Sequence, residues 1–263
     1  MMELLIACAL LVILLTGLLT VVSHSSNLWQ RSEEAIIRRH ASRVAQEIVF
    51  KDLHQLLYTV ARSSEIQCVI NPSWITSPIK NADSFFWMAS TPLLKGEGAG
   101  DTVGIGYFVI WLPNSLGSKA YLMRYRVPFS RDMIAAIEEN PQSWISETEI
   151  TQMQGDGDKS NLQGVVAENV IGLWVHLYDS SGVKIPVTRG TMVRPGEDVS
   201  PSQIEIEMVF LAPSVARRLE DPTSITAHYS SASATAFCEN LPEDIANATF
   251  VVRCRTATHA FDE

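Results

Sequence analysis

The chain has 263 residues, a formal net charge of -9 and four cysteines. An acidic balance with no basic stripe excludes nucleic acid as a natural partner, because nothing offsets phosphate repulsion. The length allows one membrane-length helix followed by a single domain of about 200 residues with a proper core.

Glu3 stands directly before nineteen uncharged residues, Leu4 to Val22, and no lysine or arginine precedes it. About 20 apolar residues cover a hydrocarbon core roughly 30 Å thick. The stretch containing Leu4, Leu11, Leu15 and Val22 therefore predicts one transmembrane helix. From Ser23 to Ala61 there is no proline or glycine, so the helix is expected to run on to about Ala61, on the order of 90 Å in all at 1.5 Å per residue. Val44, Ala45, Ile48, Leu53, Leu56, Leu57 and Val60 approximate an i, i+3, i+4 stripe, while Arg43, Glu47, Lys51 and Asp52 mostly fill the other faces. This divides the chain into a stem over 1–61 and a domain over 62–263.

Three readings fit the N-terminus. A cleavable signal peptide has a passable cleavage site at Val21-Val22-Ser23 but lacks the positive leading region such signals carry. An ordinary single-pass anchor explains the apolar run but not Glu3. An assembly stem explains both, because a carboxylate at the mouth of a membrane span is costly until something neutralises it.

Met2-Glu3-Leu4-Leu5-Ile6-Ala7 resembles the tail of the type IV prepilin pattern, Gly then Phe-Thr-Leu-Val-Glu-Leu-Leu-Ile-Ala, with Met2 where Val or Ile would stand. The resemblance implies that Glu3 pairs with the free terminal amine of a neighbouring subunit inside a helical bundle, fixing the axial register. The Gly, the Phe-Thr and a basic leader do not precede Met1, and the expectation is that the reading frame continues upstream of an internal methionine. By the positive-inside rule alone, Arg31, Arg38, Arg39 and Arg43 would hold the C-terminal domain inside. The resemblance implies the opposite: a single-pass protein of the inner membrane with its domain in the periplasm or outside the cell.

After the stem, short runs rich in aromatic and β-branched residues predict strands over Ser64 to Ile70, Ser84 to Ser90, Gly104 to Leu112, Ala120 to Val127, Val170 to Tyr178, Gly182 to Val187 and Gln203 to Leu211. Asp179-Ser180-Ser181-Gly182 reads as a hairpin connection, and Arg131 to Glu139 as a short helix. Strict alternation over Gln203 to Val209 predicts one wet and one buried face. No pattern is legible after Glu220, and Gln152 to Gln163 reads as a loop. The βαβ alternation of a doubly wound enzyme is absent. The expected class is α+β: a long N-terminal helix packed by its upper half on a mainly antiparallel sheet, around Ile48, Leu56 and Val60.

This order resembles the pilin-like architecture, and the number of strands resembles the bulkier minor pseudopilins, especially the J-type subunit of type II secretion. The successive blocks Gly104-Ile-Gly-Tyr-Phe-Val, Tyr121-Leu-Met-Arg-Tyr, Val166-Ala-Glu-Asn-Val-Ile-Gly-Leu, and Ile204-Glu-Ile-Glu-Met-Val with Ala216-Arg-Arg-Leu resemble those of the Verru_Chthon cassette protein C family. Such a resemblance implies a pilin-like protein whose partners are other pilin-like subunits and the membrane.

Cys238 and Cys254 can close a loop in an oxidising compartment or remain free thiols. Asp156, Asp158 and Ser160 place oxygen atoms at alternate positions, as a calcium loop requires, but the run lacks a closing glutamate and reads more simply as a solvated turn. No Cys or His spacing matches a zinc site. Gly104-Ile-Gly106 lacks a third glycine and lies in a strand, which argues against a dinucleotide loop. His24, His40, His54 and His176 are scattered, and His176 reads as a satisfied strand residue. The expectation is a non-enzymatic filament subunit with no cofactor and no catalytic residue. The rivals are a secreted or tethered hydrolase and a tethered binding module.

Overall fold

The computed structural model describes residues 2–60, 68–70, 83–90, 99–114, 117–130, 145–153, 164–186, 191–193, 201–219 and 221–257. They form two compact units, Met1–His40 and Ala41–Glu263. Helix α1 (Met2–Val60) supplies the first unit and the opening segment of the second. The expected helix over Arg131 to Glu139 lies outside the described residues.

In the second unit the expected stripe of α1 is met at Ala45, Ile48 and Leu53, joined by Val49; the side chains of Leu56, Leu57 and Val60 lie outside the described residues. Ala45, Val49 and Leu53 are fully buried, and Ser42 and Asp52 lie on the same face. Val44 and Phe50, by contrast, are exposed. The spacing 42, 45, 49, 52 is that of a heptad seam. It makes Asp52 a seam residue and corrects its expected place among the outward-facing charges.

Two antiparallel sheets complete this unit. The first has the order β5 (Val165–Glu168), β4 (Gly117–Ser130), β3 (Ala99–Asn114), β2 (Phe85–Ser90), β1 (Cys68–Ile70), β8 (Thr191–Val193), and the second has β10 (Thr249–Ala257), β9 (Gln203–Leu211), β6 (Val170–Tyr178), β7 (Lys184–Ile185). Every described pairing is antiparallel. Strands β2, β6 and β9 fall where the β-branched and aromatic runs predict them. β3 and β4 outrun their predicted limits because they pair along almost their whole length, from Val103 opposite Pro128 to Asn114 opposite Gly117.

The sheets are joined by one strand that changes partners. β5 pairs with β4, β6 pairs with β9, and Asn169 between them takes a left-handed φ of 61°. Its amide donates to Ala120 of the first sheet, and its carbonyl accepts from Leu211 of the second. A side chain at positive φ carries strain, which asparagine tolerates better than most residues. The backbone edge of β6 not paired with β9 is capped at Leu173 and Val175 by Asp83, whose amide donates to the Leu173 carbonyl and whose carboxylate accepts from the Val175 amide. The hairpin at 179–182 forms as expected: one Asp179 oxygen accepts from the amides of Ser181 and Val183, and Gly182 takes φ 78°.

Both faces of the first sheet are buried. Phe85, Trp87 and Tyr107 line one face. On the other, Phe86 packs on Phe108 and Tyr125, with ring centroids 6.1 and 5.8 Å away. Gly106 sits beneath the Phe86 ring, where a Cβ would come within 2.1 Å of a ring carbon. A short helix, α2 (Glu147–Met153), covers this second face through buried Ile150 and a Glu149 carboxylate that accepts from the Tyr125 hydroxyl at 2.6 Å.

Residues 221–257, without legible pattern in the sequence, form short helices and a strand. Helices α3 (Pro213–Ala216), α4 (Thr223–Thr226), α5 (Ala234–Asn240) and α6 (Glu243–Ala246) lie between β9 and β10 in the chain. Phe237 of α5 packs on Trp174 at 4.7 Å, so this helical cap covers one face of the second sheet. That cover explains why β9 alternates only at its start. Gln203 and Glu205 are half-buried between buried partners, whereas from Ile206 to Leu211 every residue is buried.

Adding one methyl at Gly106 must displace the Phe86 ring. Gly106→Ala is expected to cost about 1–3 kcal/mol in urea unfolding. Combined with Phe86→Leu, the total should fall below the sum of the single changes. Strict additivity would show that the two residues are not in contact.

Candidate functional site

In the first unit, Glu3 occupies the opening turn of α1. Its side chain, like that of Leu4, lies outside the described residues. Leu11, Leu15 and Val22 are 59, 50 and 57 % exposed, and every side chain from Leu10 to Ser26 is exposed. Apolar residues therefore surround the helix on all sides rather than forming a stripe. Thr16 and Thr20 do not interrupt that surface, because their hydroxyls donate back to the carbonyls of Val12 and Thr16 at 2.7 and 2.8 Å. Among the described residues no helix is long and apolar enough to cross a membrane.

In the second unit, buried charge fastens α1 to the first sheet. Arg124 of β4 forms two parallel hydrogen bonds to the Asp52 carboxylate, Nε to Oδ2 at 2.7 Å and a terminal nitrogen to Oδ1 at 2.8 Å. The Tyr107 hydroxyl donates to Oδ2 at 2.5 Å. Tyr107 and Arg124 are direct cross-strand neighbours, so β3 and β4 present both donors to one carboxylate. Burial and the adjacent Asp52 charge push the Tyr107 hydroxyl far above its usual pKa, so it remains a donor at all working pH. The sequence pattern places Asp52 among the outward-facing charges, and nothing in the sequence marks its partners, 55 and 72 residues away.

A second buried carboxylate fastens the helical cap to the other sheet. Glu207 of β9 lies between His176 of β6 and Arg253 of β10, with His176 Nε2 at 3.2 Å and Arg253 Nε at 2.6 Å. It also accepts from the Ala234 amide at the start of α5, at 2.9 Å. Burial pushes this carboxyl up, but the hydrogen bonds from His176, Ala234 and Arg253 outweigh burial and hold it at about 2. His176 is a satisfied strand residue, as its setting in the sequence suggests. His54, on α1, packs with its ring tilted 40° against Phe50, centroids 4.7 Å apart. Tyr229 completes the cap: it donates to the Ile171 carbonyl, accepts from Trp111 at 2.9 Å and stacks on Phe237.

The disulfide open to Cys238 and Cys254 is not formed; both are free thiols. They serve opposite faces of β10. Cys238 on α5 lies 3.5 Å from the Thr249 hydroxyl, on the face shared with Arg253. Cys254 points the other way, toward the Gln46 carbonyl of α1 at 3.9 Å. A sheet thus separates the two sulfurs, and burial pushes the Cys254 thiol up to about 12. The calcium candidates Asp156, Asp158 and Ser160 lie outside the described residues. Among the described residues no group of three or more His, Cys, Asp or Glu can hold a metal.

Asp52→Asn keeps the shape but leaves Arg124 without its anion. Because Arg124 retains some contact with water, the expected loss is about 3 kcal/mol, at the lower end for a broken buried pair. Chemical denaturation of the detergent-solubilised chain measures it, and a loss below about 0.5 kcal/mol would contradict the assigned geometry. For Glu207, the folded value of about 2 lies below the usual 4.5. Its contribution is therefore complete above pH 4.5 and lost as pH falls toward 2. The gap in melting temperature between wild type and Glu207→Gln should close over that window, and a gap that stays constant would refute the assignment.

No protein-family model matches the chain, and no curated protein matches it. The cassette-protein resemblance therefore stands on its sequence blocks alone. Among solved structures the chain is similar to a type IV-like pilin from Thermus thermophilus, with 12 % identity over 83 % of this chain and 94 % of that one, at a TM-score of 0.35. A likeness of that degree carries no conclusion about this protein.

Proposed function

We propose that the chain is a non-enzymatic, membrane-anchored, pilin-like subunit of the minor pseudopilin kind, which enters a type II secretion or type IV pilus-like filament through its N-terminal helix. On this reading the domain lies outside the inner membrane, and the resemblance to the Verru_Chthon cassette protein C blocks suggests that variety of subunit. One observation carries the proposal: a helix apolar and exposed on all sides from Leu10 to Val22 continues, without a break in its hydrogen bonding, into the seam helix of the folded domain. A helix hydrophobic all round is made to be surrounded, by lipid or by other helices. A cleavable signal or a simple tether does not require that continuity.

The chemistry of the domain supports the same reading. Its buried carboxylates, Asp52 and Glu207, spend their hydrogen bonds on joining α1 to β3 and β4 and the cap to β9. They act as fasteners, and a hydrolase would instead need such groups aimed at a substrate. On this reading Glu3 supplies the assembly contact, with a neighbouring subunit's terminal amine offsetting the cost of a carboxylate inside a helical bundle.

Cysteine crosslinking from position 11 in the native cell tests the proposal. Wild-type Glu3 should give crosslinks to other pilin-like proteins, and Glu3→Gln should reduce them about tenfold or more, equivalent to about 1.4 kcal/mol, while leaving the protein in the membrane fraction. Equal crosslinking in both forms would remove the role of Glu3. Release of the protein by a carbonate wash would remove the anchor, favouring the secreted hydrolase or binding module.

A further inference from the structure

We propose that Leu28 and Trp29 form an interfacial anchor that seats α1 in the headgroup layer of a phospholipid bilayer and sets how deeply the helix enters it. This inference rests on the membrane-anchored reading above.

Leu28 is 59 % and Trp29 75 % exposed. The other described tryptophans are engaged: Trp87 and Trp174 are buried, and Trp111 donates to Tyr229. Trp29 thus stands open among the described tryptophans, on a helix whose preceding residues, Leu10 to Ser26, are exposed throughout. The pair is separated from the apolar run by Ser23-His24-Ser25-Ser26-Asn27 and followed by Arg31. A bilayer takes tryptophan at the headgroup level, next to the hydrocarbon, and carries basic residues beyond it.

The distances agree. Trp29 lies seven residues past Val22, about 10 Å along the axis, while the headgroup layer extends roughly 5–8 Å beyond the hydrocarbon. Helical side chains lean toward the N-terminus, so the indole covers the turn before its own Cα, several Å closer to the hydrocarbon. That turn is formed by Ser25 and Ser26, too small to obstruct the ring. The polar segment Ser23 to Asn27 would lie among the headgroups, with its backbone bonds satisfied by the helix. Arg31 follows two positions later in the sequence, and a basic residue beside an anionic headgroup layer is attracted to it.

The occupant of this face is therefore lipid, and the test is fluorescence quenching by brominated phospholipids. The full chain is reconstituted in phosphatidylethanolamine and phosphatidylglycerol vesicles whose acyl chains carry bromine near the glycerol or near the bilayer centre. Shallow bromine should quench more than deep bromine, and Trp29→Phe should remove that depth-dependent part of the quenching. A protein that floats with the vesicles but shows no quenching attributable to Trp29 overturns this inference and leaves the anchor intact. If a photoreactive residue at position 29 then captures a second copy of the chain, the face belongs to another stem. A protein that does not float overturns the inference together with the membrane reading.

Discussion

The pairing of Asp52 with Arg124 and Tyr107 is the constraint on which the second unit depends. The packing free energy of the helix comes from Ala45, Val49 and Leu53; full burial of a valine or leucine contributes about 1.5–3 kcal/mol each. Apolar contact of that kind is indifferent to small slides and rotations. A buried carboxylate is not indifferent, since turning the helix by one residue, about 100°, would leave it unpaired at a cost of several kcal/mol. The stripe holds the helix to the sheet, and the charge fixes where.

The same division of labour recurs at the second sheet. Aromatic contact among Trp174, Tyr229 and Phe237 attaches the cap, and Glu207 fixes its position by accepting from a helix amide and two side chains at once. Asn169 links the two systems by passing a single strand from one sheet to the other. The order of the domain follows: α1 is tied to β3 and β4, β4 to β5, β5 through Asn169 to β6, and β6 through β9 to the cap.

For a subunit held in a filament by its N-terminal helix, these ties have a direct meaning. The residues proposed to contact neighbours and the residues that anchor the domain are on one hydrogen-bonded helix. Within the second unit, the bidentate pair at Asp52 resists sliding of α1 over the sheet better than apolar contact does.

The sequence by itself determined the features set by local pattern. The lengths of α1, β2, β6 and β9 follow from composition and periodicity, and the turn at Asp179 to Gly182 follows from residues that favour positive φ and side-chain caps. The apolar run and Glu3 were equally plain. The signals after Glu220 were present but weak: Ser233 as a helix cap, Pro242 before Glu243 and Asp244, and the β-branched run Thr249 to Thr256. They were obscured by a background of serine and threonine that favours turns. Only the tertiary structure decided which face of α1 is buried, that Asp52 and Glu207 are internal, and that Cys238 and Cys254 lie on opposite sides of a sheet. Each of these depends on a partner distant in the chain. Periodicity reports that a face will be covered, whereas the identity of the covering group is set by the path of the backbone between them.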